Sequence, residues 1–157
     1  MIDKKILVAY YSYSGNTKAA ALKIQNFTGG DIFEIKTRKE YPKEYNAAVS
    51  QAKYEKANDV RPELADNADV KNYDIIFAGT PVWWYTLSPA VKTFLTTNNF
   101  DGKTIVPFCT HGGGGASETY TDIQKLVPSA KVTEGYTSYE NSANDSEISN
   151  WINTLNL

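Results

Sequence analysis

Three short stretches hold most of the residues whose types and spacing could do chemistry. The first, Ser12-Tyr13-Ser14-Gly15-Asn16-Thr17, puts three hydroxyls, a glycine and the start of a helix-period segment within six residues. Free backbone N–H groups and the positive end of a helix dipole suit such a place to a phosphate, with no Lys or Arg required. Gly15 permits a positive-φ turn, while Ser12, Ser14 and Thr17 can donate hydroxyl hydrogen bonds. Capping alone would need only one residue of this kind, Ser14 or Asn16, so the cluster favours an anion site. Other phosphate loops fit less well. A P-loop needs Gly-Lys before Ser or Thr, and a dinucleotide fingerprint needs three spaced glycines. A thiol phosphatase would place its nucleophile here, but Cys109 is the sole cysteine and lies far along the chain. The acidic residues that a phospho-acceptor receiver domain carries after its first strand are also missing.

The second stretch is Thr80-Pro81-Val82-Trp83-Trp84-Tyr85. Neighbouring side chains diverge, so three consecutive aromatics cannot all enter one core. Some are expected to present flat faces to a planar heterocycle. The third is Cys109-Thr110-His111-Gly112-Gly113-Gly114-Gly115, where the glycines let backbone amides approach a ligand closely. Its His-Gly-Gly-Gly string is similar to the oxyanion loop of some esterases. That reading fails on inventory, because there is no Gly-x-Ser-x-Gly elbow and no second His. His111 could tune a ligand or pass a proton, or simply sit in solvent. Cys109 reads as a small apolar strand end.

Alternating strands and helices must position these stretches. Apolar runs predict strands at Lys4 to Tyr10, Asp31 to Thr37, Asp74 to Gly79, Thr104 to Cys109 and Lys131 to Tyr136. Helices are expected over Asn16 to Phe27, stopped by Gly29-Gly30, and from Ser88-Pro89 through Val91, Phe94 and Leu95. A further helix, capped by Ser117, carries Ile123 and Leu126 and ends at Pro128. The last bears Ile148, Trp151, Ile152 and Leu155 on one face, with Asp145 and Glu147 in its first turn. Arg38 to Asp66 is too long for a bare connection and holds a helical stretch around Tyr45 to Lys56. The alternation implies a parallel sheet covered on both faces, whose ligands bind beyond the carboxyl ends of the strands. All three stretches fall there.

Composition narrows the class. The chain has 157 residues, room for one domain (1–157) with a well-buried core, and the helical excursion at about 38–66 belongs to it. A net charge of −2 fits neither a nucleic-acid binder nor a polybasic membrane binder. One Cys and one His exclude an internal disulfide, a multi-thiolate metal site and a His-rich zinc site. The run Ile6 to Ala9 is too short for a signal core, and no apolar stretch is long enough to span a bilayer, so no membrane insertion is expected. A cytoplasmic protein that keeps its first residues is the expectation.

The first stretch, with Tyr11 before it and a strand before that, resembles the FMN phosphate loop of flavodoxins. Gly79 to Trp84 and Thr110 to Gly114 are similar to the two flavin-ring loops of a short flavodoxin-like branch. The resemblance covers essentially the whole chain. It implies an α/β, flavodoxin-like three-layer sandwich: a five-stranded parallel sheet in order 2-1-3-4-5, helices on both faces, and noncovalent FMN. Ser12, Tyr13, Ser14, Gly15, Asn16 and Thr17 would then surround the phosphate. Pro81, Val82, Trp83 and Trp84 would line one side of the isoalloxazine ring, and Thr110, His111, Gly112 and Gly113 its polar edge. No Gly follows Gly79 in the second stretch, so the peptide flip many flavodoxins use beside the ring does not carry over.

The expected function is electron transfer through FMN, with redox partner proteins. A phosphate held by neutral donors leaves negative charge near the ring, which points to a low potential for the second electron. An FMN-dependent oxidoreductase with a small nicotinamide or quinone substrate is the alternative, its pocket shaped by the glycine loop, Trp83 and Trp84, and the excursion with Tyr41, Tyr45 and Tyr54. A binding module that has lost the cofactor is the third reading.

Overall fold

The structure is a computed structural model that describes residues 3–157. Met1 and Ile2, which the one-domain expectation also covers, lie outside the described residues. The apolar run at the start forms strand β1 (Ile6–Tyr10), and all five of its residues are buried. Its side chains alternate between two cores, as a strand of period two requires. Leu7 and Ala9 pack with Ile76, Ala78 and Ile105 on one face. Ile6, Val8 and Tyr10 pack with Ile75, Phe77, Val106 and Phe108 on the other.

Around β1 the sheet runs β2 (Asp31–Glu34), β1, β3 (Ile75–Trp83), β5 (Thr104–His111), β6 (Lys131–Val132), every neighbour parallel. Helices α1 (Asn16–Thr28) and α5 (Asp145–Thr154) cover one face with Ala20, Ala21, Ile24, Ile148, Trp151 and Ile152. Helices α3 (Pro89–Thr97) and α4 (Thr119–Leu126) cover the other with Ala90, Val91, Phe94, Leu95 and Ile123. The three-layer α/β architecture and the order 2-1-3-4-5 of its five main strand positions agree with the expectation. No helix among the described residues is long and apolar enough to cross a membrane.

The boundaries differ in instructive ways. The second strand stops at Glu34, and Thr37 instead forms an antiparallel bridge to Leu64 that closes the base of the excursion. Arg38 N–H donates to the Glu63 carbonyl beside that bridge. Inside the excursion lies α2 (Tyr45–Ala57), whose first turn is capped by the Glu44 carboxylate accepting from Asn46 and Ala47 amides. Strand β3 runs four residues beyond Gly79, through Trp83, and turns into the short antiparallel β4 (Thr86–Leu87). Most of the second stretch is therefore strand rather than loop. The last strand is not continuous: β6 ends at Val132, and β7 (Tyr136–Tyr139) resumes beside β5 after a break. Ser117 does not cap α4. Its φ is +50° and the capping position falls to Glu118, with no side-chain cap.

Gly79 shows why the centre of the sheet is so tightly specified. It faces Phe108 across the β3–β5 pair, and a Cβ there would sit 2.2 Å from the Phe108 ring. Phe108 is itself 1% exposed and has nowhere to retreat. Gly79→Ala is expected to destabilise the fold by about 1–3 kcal/mol through overpacking. A guanidinium melt with unchanged midpoint would contradict this packing.

Candidate functional site

Strand ends β1, β3 and β5 bring the three chemically rich stretches to one edge of the sheet. The loop after β1 is built around Ser12. Its hydroxyl oxygen accepts from the Gly15 amide at 3.2 Å and the Lys18 amide at 3.1 Å. Ser12 thereby caps α1 from outside, while Gly15 occupies the N-cap position with φ 101° and no side-chain cap of its own. Neither Ser14 nor Asn16 serves as the cap. The amides of Asn16 and Thr17 have no acceptor among the described residues, and they stand at the positive end of the helix dipole. No neighbouring heavy atom lies within 4 Å of where a Cβ on Gly15 would sit. Two donors and an open approach therefore remain for an anion.

Thr17 also makes a contact that its sequence position does not suggest. Its hydroxyl shares a 2.7 Å hydrogen bond with that of Thr110, and the two residues are 1% and 4% exposed. The contact ties the first loop to the end of β5. Each hydroxyl carries one hydrogen, so once they bond to each other only one of the two can still donate to a ligand.

The second stretch ends in a two-residue hairpin turn. Trp84 and Tyr85 both have positive φ, 51° and 72°, a backbone usually supplied by Asn-Gly. Bulky residues there store strain, and the surroundings must hold it. They do so from both sides. Lys56 Nζ donates to the Trp84 carbonyl, and the Glu118 amide donates to the Tyr85 carbonyl at 2.9 Å. The Trp84 indole N–H donates to the Val49 carbonyl of α2 at 3.0 Å, with Lys53 Nζ over the ring at 5.4 Å. The three aromatics do diverge: Trp84 leans on α2, Tyr85 is exposed, and Trp83 joins an aromatic cluster. The Trp83 ring lies 5.6 Å from Tyr11, 5.8 Å from Tyr13 and 5.0 Å from Tyr41, all edge-on. Tyr13 is fixed by donating its hydroxyl to the Pro42 carbonyl at 2.6 Å. Between Trp83, Trp84, Val82, Tyr13 and α2 opens an apolar cleft of about 290 Å³.

In the third stretch, His111 organises the glycines rather than facing outward. Its Nδ1 accepts from the Gly113 amide at 3.0 Å and the Gly115 amide at 3.1 Å. Two donors on Nδ1 place the ring proton on Nε2. Gly113 and Gly115 have φ of 139° and 75°, so glycine is required at these two positions, while Gly112 and Gly114 keep open space around them. Cys109 is buried and hydrogen-bonded to Tyr120, and burial raises its thiol pKa, which agrees with an inert strand residue. Among the described residues no group of three or more His, Cys, Asp or Glu could hold a metal ion.

The structure thus brings Ser12 to Thr17, Pro81 to Trp83 and Thr110 to Gly113 to one edge, with the Trp84 side chain turned towards α2. The supports that spacing alone did not point to are Lys56, Val49 and Glu118. Their partners lie far away in sequence or on backbone carbonyls, so no local pattern marks them.

A parallel α/β sheet with helices on both faces and three loops gathered at its carboxyl edge defines a doubly wound class of fold, in which ligands bind at that edge. Residues 5–155 match the sequence profile of flavodoxins. The chain belongs to the flavodoxin family. A candidate flavoprotein from Bacteroides eggerthii superposes with a TM-score of 0.89 at 30% identity, with 99% of each chain covered. One from Bacteroides uniformis gives 0.85 at 29% identity, over 96% of this chain and 98% of that one. A flavoprotein from Lactobacillus acidophilus, solved in complex with FMN, gives 0.77 at 27% identity, over 95% and 99%. No curated protein matches this chain.

If the Thr17–Thr110 contact holds the loops together, each single change to Val should strand one buried hydroxyl and cost about 1–3 kcal/mol. The double variant should cost less than the sum of the two, with a coupling of about 1 kcal/mol. Strict additivity in denaturant melts would show that the two hydroxyls act independently.

Proposed function

We propose that this chain binds FMN noncovalently and works as an electron-transfer protein. The observation that carries the reading is the free Asn16 and Thr17 amides at the open start of α1, locked by Thr17–Thr110 against the glycine loop. Those amides suit a phosphate monoester. Space around Gly112 and Gly114, with Trp83 along the same edge, suits an attached planar ring. The FMN complex of the Lactobacillus acidophilus relative supports the same choice of ligand. When bound, FMN would supply one- and two-electron chemistry, and the chain's residues would hold it and set its surroundings.

The side chains near the ring modify the expectation drawn from net charge. Lys56 is bonded to the Trp84 carbonyl, and Lys53 sits over the Trp84 indole. Two cations at the hairpin tip, next along the chain from Trp83, would oppose the charge of the phosphate, so the second electron is taken up less reluctantly than neutral donors alone would imply. Lys53→Gln combined with Lys56→Gln is expected to lower the potential of the second electron in a redox titration. An unchanged potential would place the ring away from these lysines.

A second reading, an FMN-dependent oxidoreductase acting on a nicotinamide or quinone, draws on the cleft beside Trp83 and Trp84. It differs from the carrier in one simple respect. Anaerobic mixing of the FMN-loaded protein with NADH or NADPH should leave the flavin band unbleached until a separate reductase is added. Direct bleaching by the nicotinamide alone would select the oxidoreductase.

Gly15→Glu is expected to abolish FMN retention, read as loss of yellow colour through a desalting column. The cause is not crowding, since a Cβ at Gly15 meets nothing within 4 Å. A left-handed backbone at φ 101° disfavours any side chain, by about 1–2 kcal/mol, and a carboxylate repels the phosphate. Tight FMN binding by this variant would move the phosphate seat elsewhere.

A further inference from the structure

Behind Trp83 lies a buried pair that the FMN reading does not use. Tyr41 and Glu55 are each 6% exposed, and the Tyr41 hydroxyl donates to Glu55 Oε1 at 2.5 Å. Glu55 Oε2 accepts from Gln51 Nε2 at 3.2 Å. Both carboxyl oxygens therefore accept a hydrogen bond from a neighbouring side chain. Among the described residues no Lys or Arg forms a salt bridge with it. Burying a carboxyl group without a cation partner is costly, and an apolar pair of similar volume would tie α2 to the sheet at lower cost. Mere anchoring does not account for this choice of residues.

We propose that Tyr41 is a redox-active tyrosine, with Glu55 as its proton acceptor and Trp83 as the relay between it and the site edge. The rings of Tyr41 and Trp83 are 5.0 Å apart, the shortest of the three tyrosine contacts to that indole. A one-electron oxidant at the cleft removes one electron from the Trp83 indole. Tyr41 returns one electron to the indole, and its phenolic proton crosses the existing hydrogen bond to Glu55 Oε1. The products are a neutral indole, a neutral tyrosyl radical, a protonated carboxyl group and an oxidant reduced by one electron. Losing the proton together with the electron avoids a phenol radical cation, and for a buried tyrosine such as Tyr41 a partner base in place allows this. Tyr13 donates to a carbonyl, which is no such base. The relay consists of the chain's own residues, and its use beside a flavin rests on the FMN reading, with a light-excited flavin as the oxidant.

The test uses the flavin-free full chain, so failure to bind FMN leaves it intact. Flash-generated tris(bipyridine)ruthenium(III), with persulfate as terminal acceptor, supplies the oxidant; freeze-quench electron paramagnetic resonance and transient absorption read the radicals. A tyrosyl signal is expected to follow an indolyl precursor and to form more slowly in deuterated water. Tyr41→Phe should replace it with an indolyl radical living at least about tenfold longer, and Trp83→Phe should slow its formation about tenfold. Glu55→Gln keeps an accepting oxygen but is a far weaker base, so the tyrosyl yield should fall about tenfold while circular dichroism stays the same. Tyr13→Phe should change the yield by less than about twofold. The proposal fails if the tyrosyl signal survives Tyr41→Phe at the original yield, or if Glu55→Gln leaves yield and isotope effect unchanged. Should Tyr41→Phe not fold, the Glu55→Gln result decides by itself.

Discussion

The Thr17–Thr110 hydrogen bond is the contact on which the candidate site depends. Parallel strands deliver three separate loops to one edge, but register alone does not make them a single surface. The buried hydroxyl pair joins the start of α1 to the end of β5. Pro81, paired opposite Thr110, brings β3 into the same unit. A ligand with a phosphate at one end and a ring at the other would need such a unit, since its two ends would meet loops that follow different strands.

Much of this arrangement could be read from the residues. The unbroken apolar run of β1 required burial on both faces, and that put it inside the sheet rather than at an edge. The cluster from Ser12 to Thr17 and the glycines after Thr110 announced close backbone approach. Other features depended on contacts that no local pattern carries. Val82 and Trp83 extended β3 because β4 pairs back on them, and the turn that allows this uses Trp84 and Tyr85 where glycine or asparagine would be expected. The last strand breaks over 133–135, and within that break a Cβ on Gly135 would meet the Tyr120 ring of α4 at 2.4 Å, a contact no local pattern marks. Ser12 rather than Ser14 reached the helix amides, a choice made by the turn at Gly15.

The excursion at 38–66 is the least orthodox part of the chain, and its role is structural as well as spatial. Closed at its base by the Thr37–Leu64 bridge, it lays α2 beside the hairpin tip and supplies Val49, Lys53 and Lys56 to it. It also carries Tyr41 against Trp83. The sheet provides the loops, and the excursion provides the wall beside them.

The hairpin tip has a consequence for how charge could arrive. Its two successive carbonyls are clasped, one by a lysine of the excursion and the other by an amide at the start of α4. Turning the peptide between them would break the lysine contact and disturb an already constrained turn. A redox group seated against this tip would gain and lose electrons beside a nearly immobile dipole. The reorganisation energy would then be set by the group and its solvent, a condition that favours rapid exchange over selective trapping of one charge state.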